Sequence, residues 1–241
     1  MLNEQDLQLK LLMGTPVDVG NGLLLHIPRL KEIISLGESK YSQYLLACLF
    51  DKNQTDELKG SELSSLEILF GYCFHNEEFR QITLDAWKFL FQSEASMGND
   101  ETNVFFYFEQ LDKRIDKENF TYIQQIIRKA NYIKADKEAE YRPANSRAAQ
   151  MIERIKNGRK HRPKSRETMN LYSMISGLAW KSNTISLVTI FELTIYQLYN
   201  GFYTIENIDN YHHILSGIYA GTVDGKQIRF DQIHWAKILE T

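Results

Sequence analysis

The chain has 241 residues, of which 43% are hydrophobic and 12% aromatic. This content can fill the core of one large domain or two small ones, and it excludes disorder along the whole chain. The 28 basic and 31 acidic residues nearly balance, so the total charge indicates no class of partner.

The amino terminus lacks a basic leader, and no stretch approaches the ~20 apolar residues of a membrane span. We therefore expect a cytoplasmic protein that does not enter a membrane.

The amino-terminal part predicts one short strand followed by two pairs of helices. The strand is expected at residues 23–27, where it is entered by an Asn-Gly turn and ended by a proline. Apolar residues then recur at steps of three and four over residues 30–49, with a break at Gly37. The same spacing covers residues 63–90 and breaks near Asn76. Each pair should pack through one apolar face.

A minor β component is expected before the middle of the chain. Residues 97–102 are polar and predict a turn, whereas residues 104–108 are β-branched and aromatic and predict a strand. Asp116 can cap a helix whose apolar positions lie between residues 120 and 127. Residues 1–140 therefore predict an α-rich domain with short strands, and the whole chain a mainly α fold.

A basic segment follows this domain. We expect a hinge near residue 140 and a basic linker helix over residues 141–166. Between residues 142 and 166 there are nine Lys or Arg and one acid, Glu153, which gives a local charge of +8. Subtracting it from the overall −3 leaves −11 on the other residues. Charge is therefore distributed very unevenly along the chain.

Three interpretations of the basic segment stay open: an exposed face between domains, a contact with an acidic protein or with the chain's own acidic remainder, and nucleic-acid binding. No aromatic residues are interleaved for base stacking and no reader motif is present, so sequence-specific binding is not expected. The candidate phosphate contacts are Arg154, Lys156, Arg159, Lys160, Arg162 and Lys164.

Residues 167–241 predict a compact helical module. One helix is expected over residues 171–179, a second, capped by Ser186, over residues 187–202, and a third over residues 205–217. A turn at Asp224-Gly225 and a short terminal helix capped by Asp231 should complete it.

Motifs that carry chemistry are largely missing. No glycine-rich phosphate loop, dinucleotide fingerprint or nucleophile elbow occurs. His75-Asn76-Glu77, two residues after Cys73, matches the H-x-E half of a zinc deaminase signature, but the P-C-x-x-C half that completes the zinc shell is missing. Cys73 and Cys48 instead lie within apolar helical patterns, as reduced core cysteines do. We therefore expect no catalytic residues, no cofactor and no metal.

Aromatic residues are concentrated near the carboxyl terminus, and those with polar tips are common at protein interfaces. Most of them also fall on the helical repeat that any packed bundle requires, so the core is the alternative interpretation. The candidate partner-binding residues are Tyr172, Trp180, Tyr196, Tyr199, Tyr203 and Trp235.

Several strings resemble tail-morphogenesis proteins of phages that infect Gram-positive bacteria. They are Leu-Ala-Trp-Lys-Ser-Asn at 178–183, Leu-Thr-Ile-Tyr-Gln-Leu-Tyr-Asn-Gly-Phe at 193–202, Ile-His-Trp-Ala-Lys-Ile at 233–238 and the segment 27–45. The resemblance implies a tail assembly chaperone, a non-catalytic factor of the host cytoplasm that coats the tape-measure protein until tail-tube subunits polymerise around it. Several copies of the chain could act together as a homo-oligomer. A structural tail or baseplate component and a nucleic-acid-associated regulator that uses residues 142–166 are the alternatives.

Overall fold

The structure is a computed structural model that describes residues 2–54, 58, 60–100, 103–133 and 169–239. Helices dominate these residues, and the strands form two small antiparallel sheets, so the predicted mainly α fold with a minor β component is confirmed. The helices are α1 Glu4–Met13, α2 Leu30–Leu36, α3 Glu38–Cys48, α4 Ser65–His75, α5 Glu77–Phe91, α6 Phe120–Ala130, α7 Leu171–Lys181, α8 Ile195–Tyr219 and α9 Phe230–Ile233. The strands are β1 Val17–Asp18, β2 Leu24–Leu25, β3 Ser96–Asn99, β4 Val104–Phe108 and β5 Lys113–Ile115.

Local signals set the boundaries of helices α2 to α5. Gly37 separates α2 from α3 with a φ of 96°, a value that glycine adopts without the penalty of a side chain. Asn76 ends α4 and caps α5, because its Oδ1 accepts the N–H of Phe79 at 3.0 Å. The predicted breaks at both positions are confirmed.

The three-stranded sheet corrects two expectations. Residues 97–99 belong to β3 rather than to a turn, since β3 pairs along its whole length with β4. Gly98 permits this pairing, because a Cβ at that position would overlap the ring of Phe105. Asp116 does not cap α6 either. Its Oδ1 accepts the N–H of Glu118 at 3.0 Å within the turn after β5, and the residue that precedes α6 is Asn119.

Helix α7 covers the predicted residues 171–179, but the helices after it begin and end at other residues than predicted. Ser186 starts only a turn, and the helix expected from residue 187 begins at Ile195 after Thr194. The cause is tertiary: the N–H of Ile195 donates to the carbonyl of Pro28 at 2.9 Å, which keeps the preceding backbone extended. Helix α8 then continues without a break to Tyr219 and joins two predicted helices. Asp231 lies inside α9 rather than at its cap.

Residues on both sides of the gap at 134–168 share the core. Side chains of α7, α8 and Ile190 pack into the same buried cluster as α1 to α6 and the sheet. Cys48 and Cys73 are buried in this cluster as free thiols, as the sequence predicts. The predicted hinge near residue 140 and the basic linker helix at 141–166 lie outside the described residues. Within the described ranges no helix is both long and apolar enough to cross a membrane.

Candidate protein-binding surface

Helix α7 buries one face and exposes aromatic residues on another. It begins with a capping box, in which Asn170 Oδ1 accepts the N–H of Ser173 at 2.9 Å and Ser173 Oγ accepts the N–H of Asn170 at 3.0 Å. The buried face consists of Met174, Ile175, Leu178 and Ala179. In contrast, Tyr172 and Trp180 are 79% and 78% exposed. Side chains of this size normally bury much of their surface, so their exposure identifies a candidate interface.

The two exposed rings border an apolar groove of about 550 Å³ between α7 and α2. Its walls are mostly aliphatic and aromatic. Among the residues that line it, the ionisable side chains are Glu38 and Tyr172. We call this feature the α2–α7 groove. The apolar residues that form it, besides Tyr172 and Trp180, are Ile33, Ile34, Leu171, Ile175, Leu187 and Phe191.

Backbone hydrogen bonds join the start of α2 to residues 193–195, which follow the groove residues Leu187 and Phe191. The N–H of Leu30, the first residue of α2, donates to the carbonyl of Leu193 at 2.9 Å. The N–H of Ile195 donates in return to Pro28, and Arg29 forms a β-bridge with Thr194. Backbone bonds between buried residues are costly to break, so the start of α2 and residues 193–195 keep a fixed position relative to each other.

A charged cluster lies beside the backbone bonds between residues 28–30 and 193–195. Glu192 accepts hydrogen bonds from Lys31 Nζ at 2.7 Å and from Arg29 Nη1 at 2.9 Å. The hydrogen bond and charge of Lys31, with a contribution from Arg29, lower the pKa of the Glu192 carboxyl. The three side chains are about half exposed, so the cluster adds little to the stability of the fold.

Three other candidate tyrosines do not lie at the groove. Tyr196 is buried, whereas Tyr199 and Tyr203 are half-buried on the same face of α8. All three rings pack around Tyr132, with centroid distances of 5.6, 5.5 and 5.3 Å respectively. The structure therefore brings Tyr172 and Trp180 together at one surface and Tyr196, Tyr199 and Tyr203 at another.

Trp235 is half-exposed and lies at a third location. It stacks on His234 and borders a cleft of about 440 Å³ with the exposed Leu9 and Leu12 of α1. The six residues of the basic patch, from Arg154 to Lys164, lie outside the described residues.

Cys73 and His75 of the zinc-like sequence fragment lie in different environments on α4. Cys73 is buried, and burial raises the pKa of its thiol, while His75 is exposed. In the part of the chain that the structure describes, no group of three or more His, Cys, Asp or Glu side chains could hold a metal ion.

The comparisons with known proteins concern the region of α7 and α8. Residues 160–240, about a third of the chain, match a family model described as the YomV second domain. The similarity is to that domain and covers the carboxyl-terminal residues, which include α7 and α8. No curated protein and no solved structure matches the chain.

Sequence reasoning missed the α2 wall of the groove. Ile33 and Ile34 are adjacent on a short helix, where consecutive side chains point about 100° apart. Only one of them can face the core, and the structure buries Ile33 and leaves Ile34 half-exposed. Adjacent isoleucines on a seven-residue helix were therefore an available signal for an apolar surface.

Proposed function

We propose that this protein is a non-catalytic phage tail assembly chaperone, which binds the tape-measure protein, tail-tube subunits or both in the host cytoplasm. The observation that carries the proposal is the apolar α2–α7 groove, with Tyr172 and Trp180 exposed along its border. Two large aromatic side chains beside an apolar groove are the usual anchors of a protein interface.

The groove suits the chemistry of a chaperone that holds an unassembled partner. Such a protein must cover apolar helical surface reversibly, and an open apolar groove can receive one face of an amphipathic helix. The scarcity of ionisable groups on its walls limits the desolvation cost.

The sequence supports the phage context independently of this geometry. The strings at 178–183, 193–202 and 233–238 resemble tail-morphogenesis proteins, and all three fall within the residues that match the YomV second domain. Helix α7, which carries Trp180, is in the same region.

Co-expression with the candidate tape-measure protein tests the proposal. We expect the tape-measure protein to become soluble and to elute with this chain from a size-exclusion column. Unchanged solubility together with separate elution of the two proteins would refute the proposal. Recovery of the chain in stoichiometric amounts from finished tails would also refute it, in favour of a structural tail component.

A matched pair of variants tests the role of the groove. Replacing Tyr172 and Trp180 together by Ser should abolish co-elution, since both rings are highly exposed in the free chain. Phe74→Ser is the control, because Phe74 is 69% exposed on α4 and does not line the groove. Equal loss of co-elution in the control would show that any exposed ring has this effect.

A further inference from the structure

The sequence contains asparagine followed by glycine at three places, 21–22, 157–158 and 200–201. In this dipeptide the backbone nitrogen of the glycine can attack the carboxamide before it, because glycine has no side chain to obstruct the approach. The attack also requires a free nitrogen and a backbone that can move. The pair at 157–158 lies outside the described residues, and the structure places the other two pairs in opposite surroundings.

Asn21 and Gly22 form the tip of the β1–β2 hairpin. The N–H of Leu23 donates to the carbonyl of Gly20 at 3.0 Å, which makes Asn21 and Gly22 the central residues of a β-turn. Their φ values of 54° and 76° are positive, as in the hairpin turns that favour Asn-Gly. Both residues are exposed, so water reaches the carboxamide and the peptide bond after it.

Neither reacting group at this tip is held by a partner. Within the described part of the chain, the N–H of Gly22 has no acceptor and the Asn21 carboxamide makes no hydrogen bond. A Cβ placed on Gly22 would have no heavy atom within 4 Å beyond its chain neighbours. The space beside the Gly22 nitrogen is therefore open.

The pair at 200–201 is constrained instead. Both residues lie inside α8, where helix geometry directs the N–H of Gly201 toward the carbonyl four residues earlier. Asn200 Nδ2 donates to the Tyr132 hydroxyl at 3.2 Å, and a Cβ on Gly201 would lie 3.5 Å from Leu178. Reaction at Asn200 therefore requires local opening of α8, which costs free energy.

We propose that Asn21 is a site of spontaneous deamidation and isomerisation to isoaspartate. The backbone nitrogen of Gly22 bonds to Cγ of Asn21, the C–N bond of the carboxamide breaks, and ammonia leaves with the proton that the Gly22 nitrogen loses. Water then opens the resulting cyclic imide. Breaking its bond between nitrogen and Cγ gives aspartate, whereas breaking the original peptide bond gives isoaspartate, in which the chain runs through the side chain.

Isoaspartate lengthens the backbone of the turn by one carbon atom. The turn lies between Val19 and Leu23, which are buried, and the N–H of Val19 donates to the carbonyl of Leu23 at 2.8 Å. The added carbon changes the spacing that this bond and the turn bond from Leu23 to Gly20 require. The modification should therefore loosen the hairpin that precedes α2. This inference does not depend on the proposed chaperone groove.

Both products also add a negative charge beside other acids. Asp18, Asp116 and Glu118 line a cleft of about 400 Å³ together with Asn21. A carboxylate at position 21 is repelled by these groups, whereas the carboxamide is neutral. Aspartate and isoaspartate share this effect, and only isoaspartate lengthens the backbone. The variant Asn21→Asp therefore isolates the effect of charge.

Ageing the full chain in mildly alkaline buffer tests the site, because loss of the Gly22 proton is then favoured. Tryptic peptides prepared at slightly acidic pH are analysed by mass spectrometry for exchange of the amide –NH₂ for –OH. Labelling with a protein isoaspartate methyltransferase detects isoaspartate. Asn21 is the one asparagine in its tryptic peptide, residues 11–29. We expect the folded chain to convert Asn21 at least about tenfold faster than Asn200.

The same chain aged in guanidinium chloride is the reference. Both Asn-Gly pairs should convert there at similar rates, since the helix that constrains Asn200 is unfolded. Folding should slow the reaction at Asn200 and leave the rate at Asn21 nearly unchanged. Absence of isoaspartate at position 21 in the folded chain, or conversion of Asn21 no faster than that of Asn200, would overturn the proposal.

Urea unfolding of the aged protein tests the effect on the hairpin. The aged wild type should have a lower urea midpoint than fresh Asn21→Asp, which carries the charge without the added carbon. Asn21→Gln aged in parallel should keep its midpoint, because its longer side chain closes the ring much more slowly and because it shares any change elsewhere in the chain. Circular dichroism checks that both variants are folded. An aged wild type as stable as Asn21→Asp would overturn the proposed loosening of the turn.

Discussion

Truncating a buried side chain of α7 should lower the free energy of unfolding, whereas truncating an exposed one at the groove should leave it nearly unchanged. The comparison tests whether the groove is exposed to solvent. Leu178 is 2% exposed and packs against Gly201 of α8, whereas Trp180, two residues later, is 78% exposed. Leu178→Ala removes three buried carbon atoms, which corresponds to about 2.4 kcal/mol of transfer free energy. The residual cavity raises the expected loss of unfolding free energy to about 3 kcal/mol.

Trp180→Ala should change the free energy of unfolding by no more than about 0.5 kcal/mol, because most of its side chain already contacts solvent. The two variants should differ in the opposite direction in the binding test of the proposed function. Trp180→Ala should lose co-elution with the tape-measure protein, and Leu178→Ala should retain it. A side chain can therefore be large and contribute little to folding while it dominates an interface.

Urea unfolding followed by circular dichroism measures both variants. With an m value of about 3 kcal/mol per molar, Leu178→Ala should lower the midpoint by about 1 M, and Trp180→Ala should leave it within about 0.2 M. If Trp180→Ala lowers the midpoint as much as Leu178→Ala does, the ring belongs to the core and the reasoning about the groove is wrong.

Two further predictions concern the fold. Thr194→Ala should lower the free energy of unfolding by about 1 kcal/mol, since it removes the capping-box acceptor for the N–H of Gln197 at 3.2 Å. Thr194→Ser should retain most of that stability in the same urea assay, and equal losses would contradict the role of the hydroxyl. The Cys48 thiol should not react with a disulfide reagent in the folded protein at pH 8, because it is buried and burial raises its pKa well above the ordinary range. Addition of guanidinium should expose it, and rapid labelling of Cys48 in the folded chain, detected by mass spectrometry of its peptide, would disprove its burial.

Sequence reasoning succeeded where a local signal is sufficient. Gly37 and Asn76 separate helices because a positive φ and a side-chain cap act within a few residues. The burial of Cys48 and Cys73 followed from apolar spacing alone. Such signals do not depend on the rest of the chain.

The missed elements depend on distant partners. Strand β3 contains a glycine and polar residues and becomes a strand because β4 supplies hydrogen bonds to it. The start of α8 is set by backbone bonds with residues 28–30, which are more than 160 positions away in the sequence. Neither partner can be inferred from a local window, since propensity is overridden by long-range pairing.

The sequence by itself determined the helical class, the reduced core cysteines and the uneven charge, because each follows from composition or from periodicity along the chain. The tertiary structure decided which aromatic residues are covered. Tyr196 and Trp180 both fit a helical repeat, yet Tyr196 packs against Tyr132 and Trp180 faces solvent. Periodicity shows that a helix has an apolar face, but burial of that face depends on which other elements pack against it.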